Sequence, residues 1–327
     1  MKLTAYTDQR QLTVPFVLAR EGFDEVALTC VELSEGSHIG RGEATPKPFL
    51  GRSPAGDLQE LAAIRPQIES GTISNDDLLE LLPAGSARNA LDCALWDLRC
   101  KQEGKRIWQI LGLDEPTDPV RADYTISIDT PEKMARAANT LRDYDLVKIK
   151  LNAELIDDRL AAVRHALPTA ELFVDANESW TPDLLQQIIP VLTKHRVSLI
   201  EQPLPAGQDA ALDTIDCPIP LAADEACKTA DDLPMLVGRY QFVNIKLDKT
   251  GGLTAALHLL HAARAQQFKV MVGCMIGTSR AMAPAFVVAS QADFCDLDGA
   301  SMLKQDVSPP LKLGAGRAHS FAAALWG

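Results

Sequence analysis

The 327 residues carry 44 acidic against 32 basic side chains, a formal net charge of −12 that argues against a nucleic-acid partner. Charged residues make up 23% and apolar ones 46%, ordinary for a globular chain long enough to bury a sizeable core. No stretch approaches the roughly 20 apolar residues of a membrane span, and the polar opening MKLTAYTDQRQ lacks the core of a signal peptide, so a cytoplasmic protein is expected.

The first third alternates in the manner of β-strands, with VALTCVEL followed by the Gly-rich turn EGSHIGRGEA. A helix is expected over Ala87–Glu103, where Ala87, Ala90, Leu91, Ala94, Leu95 and Leu98 recur at three and four and Gly104 stops the run. From about Arg121 strands and helices alternate strictly. Strands are expected near 121–127, 146–151, 171–175, 197–201, 219–224, 241–247, 269–274 and 293–298, with helices between them, as at 131–143 and 252–267. Eight such strands make an α/β chain of the (β/α)8 TIM-barrel type. The tail, with SPPLKLGAGR, is expected to pack back on the first unit. The division expected is an N-terminal α+β domain over 1–118, the barrel over 119–304 and a returning segment over 305–327. No low-complexity linker intervenes, so the two domains should be firmly docked.

A charge closes one apolar run after another. Lys148 and Lys150 end LVKIK, Asp175 ends LFVD, Glu201 ends SLIE, Asp224 follows PLAA and Lys246 ends FVNIK. The steps from Lys148 are 27, 26, 23 and 22 residues, about one strand–helix unit each. This is how a barrel builds a site from the carboxyl ends of its strands. Alternation turns Lys148 and Lys150 to one side and Val147, Ile149 and Leu151 to the other. A neighbouring cation and partial burial are expected to lower a lysine's pKa towards that of a useful base. Asp175, Glu201 and Asp224 offer hard oxygens on rigid strand ends, which suits Mg²⁺, and no Cys or His stands with them for zinc. Lys246 is placed roughly across the barrel from Lys150. Asp296 and Asp298 in FCDLDG share a face and need a cation between them, for which a substrate ammonium is the natural guest. The seven cysteines form no Cys-x-x-Cys pair; Cys274 alone is placed at a strand end facing the site.

These residues resemble the enolase superfamily, in its muconate-lactonizing branch. The pieces are KIK at 148–150, VDAN at 174–177, EQP at 201–203, ADE at 223–225, NIKLDKTGG at 244–252 and ALWDL at 94–98. Within the branch the chain looks like the dipeptide epimerases of L-Ala-D/L-Glu type, through the Asp-x-Asp at 296–298, LPAGSARNALDCALWDL at 82–98, NESW at 177–180 and GCMIGTSRA at 273–281. The resemblance implies an N-terminal capping domain on a modified barrel, and Mg²⁺ held by Asp175, Glu201 and Asp224. It implies that Lys150 and Lys246 exchange the α-proton on opposite faces of an enediolate, beside Lys148. It also implies a small dipeptide as ligand, as in murein peptide recycling, with its α-ammonium on Asp296 and Asp298. Arg20, in PFVLAREG, is the cation expected to meet a distal glutamate carboxylate. Acidic barrels of this kind often form homo-oligomers, and the sequence leaves that open.

The physical logic runs beside the likeness. Removing a proton next to a carboxylate places a second negative charge on its oxygens, which Mg²⁺ and Lys148 would offset. Inverting a stereocentre needs a base on one face and an acid on the other. Alternatives within the branch are N-succinylamino-acid racemase, o-succinylbenzoate synthase and cycloisomerases, whose substrates carry no free ammonium for Asp296 and Asp298. Dehydration by a late histidine is disfavoured, since His38, His165, His195, His258, His261 and His319 all miss the strand ends. A silent metal- or peptide-binding scaffold would be expected to have lost a lysine or a ligand, and none is missing.

Overall fold

The computed structural model describes residues 1–327. Strands β1 (Lys2–Val17), β2 (Gly22–Glu35) and β3 (His38–Ala44) form an antiparallel sheet in that order. The Ser86–Glu103 helix crosses β3 at very short range. Gly40 and Gly42 make that possible, because a Cβ at either position would collide with the backbone carbonyl of Ala94 or Ala90. Leu3, Val31, Leu33, Leu61, Leu78 and Leu91 fill the space between sheet and helices. Gly104 ends the helix in the left-handed conformation, its N–H donating to Cys100 O.

The expected strand at 121–127 is a correction, because it breaks in two. Its start, β4 (Val120–Arg121), leaves the barrel, while β5 (Thr125–Ile126) is the first barrel strand. The other seven lie inside their expected spans: β6 (Leu146–Lys150), β7 (Glu171–Asp175), β8 (Val197–Glu201), β9 (Leu221–Ala223), β10 (Phe242–Ile245), β11 (Lys269–Val272) and β12 (Phe294–Cys295). All neighbours are parallel, from β5 to β12 in sequence order. The seam closes where Ala122 bridges Cys295 and Asp123 N donates to Cys295 O at 3.0 Å. The fold is therefore a modified (β/α)8 barrel with an N-terminal α+β cap.

What pulls β4 away is the tail. The strands β13 (Leu313–Gly314) and β14 (Arg317–Ala318) form a hairpin whose second strand pairs antiparallel with β4. Beyond it Trp326 is fully buried and donates from Nε1 to Cys93 O at 3.0 Å. Gly327 N donates to Asp97 Oδ1 at 2.9 Å, so the chain ends against the Ser86–Glu103 helix. No helix is long and apolar enough to cross a membrane.

Strand alternation sorts the barrel into layers. Val147, Ile149 and Leu151 face outward into the main core with the helices. Leu146, Phe173, Leu199, Ala222, Phe242 and Met271 face inward as an apolar floor, closed by Phe294 edge-on to Phe173 at 4.5 Å. Two residues further along their strands stand Lys148, Asp175, Glu201, Asp224, Asn244, Gly273 and Asp296. The floor seals one end, so these groups face the other, beneath the cap.

Candidate active site

Asp175, Glu201 and Asp224 come from adjacent strand ends, and one oxygen of each lies within 4.8 Å of the others. All three are buried. Lys148 Nζ lies 3.1 Å from Asp175 Oδ2, 2.7 Å from Glu201 Oε2 and 2.8 Å from Asp296 Oδ2. Lys150 Nζ lies 2.5 Å from Asp175 Oδ2, and Lys246 Nζ 2.8 Å from Asp224 Oδ2. The two outer lysines thus flank one carboxylate cluster from different strands. The cluster fits a hard divalent cation on two counts: an all-oxygen donor set, and Glu201 Oε2, which meets Lys148 but accepts no aligned hydrogen bond.

The carboxylates of the cluster bear directly on the lysines' charge. Burial opposes charge on Lys246, but Asp224, Glu201 and Asp175 together outweigh burial and the nearby Lys148, so its pKa is raised. Lys148 goes the same way, well above its ordinary value, as Asp296, Glu201 and Asp175 overcome burial. The carboxylates respond in opposite senses. Against the effect of burial, Lys150 and Lys148 pull Asp175 down, and Lys246 and Lys249 hold Asp224 well below the usual range. Burial and then Asp175 push Glu201 up to about 7.

Asp296 and Asp298 both line the cavity above this layer, although β12 ends at Cys295 and Asp298 opens a 3-10 turn over Asp298–Met302. Asp298 Oδ2 accepts from Thr125 N at 2.7 Å; burial and then Asp296 raise its pKa to about 6. Cys274 lines the same cavity, half-exposed. Arg20 reaches it from the loop between β1 and β2, where Nη1 lies 2.7 Å from Glu178 Oε2 and Nη2 pairs with Glu225 Oε1. The cavity is about 70 Å³, and Phe16, Phe23 and Phe49 line it from the cap.

Several participants were not singled out in the sequence. Asn244 donates from Nδ2 to Glu201 Oε1 at 2.8 Å, and Gly273 opposite leaves room for it and for Lys246. Buried Lys249 clamps Asp224, with Nζ 2.6 Å from Oδ1 and a second bond to its carbonyl. Gln202, at φ 34°, accepts on Oε1 from Asp224 N and Ala226 N and so fixes the loop after β9. Asp123 sits at the seam with neither carboxylate oxygen hydrogen-bonded; burial, then Asp296 and Asp298, raise its pKa well above the ordinary. Lys47 lines the cavity from the cap. Strand alternation could have found Asn244 and Asp123, each an even number of residues from Lys246 or Thr125.

Residues 1–112 match the family model "Mandelate racemase / muconate lactonizing enzyme, N-terminal domain", and 132–319 match "Enolase C-terminal domain-like". The chain is 45% identical over 310 residues to an L-Ala-D/L-Glu epimerase of Escherichia coli strain K12, covering 94% of this chain and 96% of that protein. It is 46% identical over 251 residues to an N-acetyl-D-glutamate racemase of a Pseudoalteromonas species, covering 77% and 79%. Among solved structures, an enolase family member from Agrobacterium tumefaciens with homology to dipeptide epimerases, with bound sodium and L-Ala-L-Glu, superposes with TM-score 0.95 at 39% identity, covering 99% of both chains. The buried carboxylate cluster between lysines, the capped barrel and these likenesses agree: the chain belongs to the enolase superfamily, in its mandelate racemase/muconate lactonizing enzyme branch, as an isomerase of the dipeptide epimerase group.

Proposed function

We propose that the protein is a Mg²⁺-dependent dipeptide epimerase that inverts the α-carbon of the C-terminal residue of L-Ala-L-Glu and L-Ala-D-Glu. The observation that carries this reading is the disposition of Lys150 and Lys246, ion-paired to different members of one carboxylate cluster, Asp175 and Asp224. Both lysines line the cavity above the cluster, and in this reading they remove and return a proton on opposite faces. Asp175, Glu201 and Asp224 would hold the cation, which when bound supplies fixed positive potential beside the substrate carboxylate. Lys148 adds a permanent positive charge there, since its three carboxylate neighbours keep it protonated. Lys249 and Asn244 hold Asp224 and Glu201 in place.

Across Lys148 from the cluster, Asp296 and Asp298 receive the α-ammonium of the first residue, with Asp123 behind them. This separates the reading from a second one, racemisation of N-acetylglutamate, which the Pseudoalteromonas relative suggests. An acyl amide carries no positive charge, so three carboxylates there favour a free amine. Arg20 belongs to the distal wall, where the second residue's side chain would lie. In this reading the cap over 1–118 shapes that wall, the barrel over 119–304 carries the chemistry and 305–327 ties the two. Its setting would be the cytoplasm, on dipeptides derived from murein.

Lys150→Ala and Lys246→Ala are each expected to abolish epimerisation, a loss of at least about a thousandfold for removal of a catalytic base. The check is chiral analysis of L-Ala-Glu after prolonged incubation with each variant. Epimerisation by the double variant would sink the two-base reading.

A further inference from the structure

We propose that Lys47 is the residue that selects the substrate's distal side chain by binding its carboxylate, while Arg20 serves as a latch between cap and barrel. This rests on the dipeptide reading above and assigns one residue within it.

The two cations differ in how far their charge is committed. Arg20 holds Glu178 through Nη1 at 2.7 Å and Glu225 through Nη2, and its guanidinium lies 4.6 Å from the centre of the Phe49 ring. Glu178 follows β7 and Glu225 follows β9, so these pairs join a cap loop to two barrel loops. Glu178 stands at φ 66° and Asn177 at φ 43°, left-handed conformations that aim this loop upward. Asn177 Nδ2 reaches Glu225 Oε1 at 3.3 Å, extending the same tie. A ligand carboxylate arriving at Arg20 would meet two carboxylates already there, and like charges at that range oppose binding.

Lys47 has the opposite situation. It follows β3 at the cap edge and lines the cavity together with Lys246. Lys148, Lys150, Lys246 and Arg20 all have carboxylate partners; among the cations of the cavity Lys47 alone forms no ion pair. Its Nζ rests 4.2 Å from the centre of the Phe23 ring, and its side chain lines the cavity. Burial pushes its pKa down, with Glu21 and Asp248 opposing, so a partner anion would relieve a desolvated charge. Phe16, Phe23, Ile276 and Met302 line the same cavity, and Glu21 is the one carboxylate that the cap adds to it, close enough to act on Lys47 but not paired with it. In such a setting a carboxylate gains more from an ammonium than it would in water. The pattern matches a second residue with a short apolar stem and an anionic tip, Glu above Gln.

The test compares kcat/KM for L-Ala-L-Glu and L-Ala-L-Gln, followed by α-proton exchange in D₂O, in wild type, Lys47→Met, Lys47→Arg and Arg20→Gln. Lys47 stands on a cap loop, partly buried, and its side chain forms no ion pair, so these replacements should leave the fold intact. Lys47→Met is expected to lose about 10–100-fold on the Glu dipeptide and little on the Gln dipeptide, with Lys47→Arg restoring most of the preference. Arg20→Gln should lower both dipeptides alike. An unchanged Glu-to-Gln ratio in Lys47→Met, or a ratio that collapses only in Arg20→Gln, would overturn the assignment. Wild-type protein inert on both dipeptides would remove the dipeptide reading itself, and the assignment with it.

Discussion

Gly273 stands where β11 passes Lys246, and a single carbon there would matter. A Cβ would lie 2.8 Å from Asn244 Oδ1 and 2.9 Å from Lys246 Cε, closer than side chains tolerate. Gly273→Ala should therefore shift Lys246 while costing about 1–3 kcal/mol of stability, the usual range for overpacking. Misplacing a reacting group by about 1 Å can cost about a hundredfold in rate, so kcat should fall by that order. The check is kcat beside thermal unfolding; full activity would show that Lys246 has room to spare. At this scale the sequence was readable wherever a charge interrupted an apolar run, as at Lys150, Asp175, Glu201 and Lys246. It was silent where the contributing residue is a glycine, as at Gly273, or lies off the strand, as at Lys47 and Lys249, while at Asn244 only strand alternation pointed to the site. Those residues matter through proximity across strands and domains, which spacing along one strand does not encode. The raised pKa values of Lys148 and Lys246 had the same origin: each Nζ sits within 2.8 Å of a carboxylate from another strand.

The contact between cap and barrel is built from buried carboxylates, each met by donors of the other domain. Thr278 donates to Glu43 through both N and Oγ1 at 2.6 Å, and Thr254 donates to Asp92 through N at 3.0 Å and Oγ1 at 2.6 Å. Asp248 Oδ1 accepts from Thr45 N at 2.8 Å and Asn89 Nδ2 at 3.1 Å. Burial raises Asp248 to about 6 despite these bonds. A carboxyl whose folded pKa exceeds its unfolded value of about 3.9 binds more protons when folded. Its contribution is full below about pH 4 and is lost as pH rises to about 6. Asp248→Asn keeps an oxygen for both donors and carries no charge. The variant should gain on wild type as pH rises through that window, by up to about 3 kcal/mol. Denaturant unfolding at pH 4 and pH 7 checks this; a constant difference between the two proteins would show that Asp248 stays ionised in the fold. Strand positions were legible here because each barrel strand is a short apolar run. The split at Val120–Arg121 was not, since it depends on a hairpin nearly 200 residues away in sequence.

Across the whole molecule, an apolar floor closes one end of the barrel and the cap shapes the other. In the proposed reading the reacting groups stand between them on rigid strand ends, and the groups that would judge the substrate come from the cap loop and the last strand. This division of labour explains how one barrel can keep its proton chemistry while the cap changes what it accepts. The site gathers five cations, Arg20, Lys47, Lys148, Lys150 and Lys246, beside five carboxylates, Glu21, Asp224, Glu225, Asp296 and Asp298, in one cavity. Such a site suits a ligand with carboxylates at two points and an amine at a third.

Proton NMR of the purified protein with Mg²⁺ and L-Ala-L-Glu in D₂O addresses the central claim most directly. The account predicts loss of the glutamate α-proton signal together with appearance of the L,D diastereomer, and no exchange after the cation is chelated. Exchange without inversion would contradict the two-lysine mechanism, and absence of exchange with this dipeptide would contradict the assigned substrate.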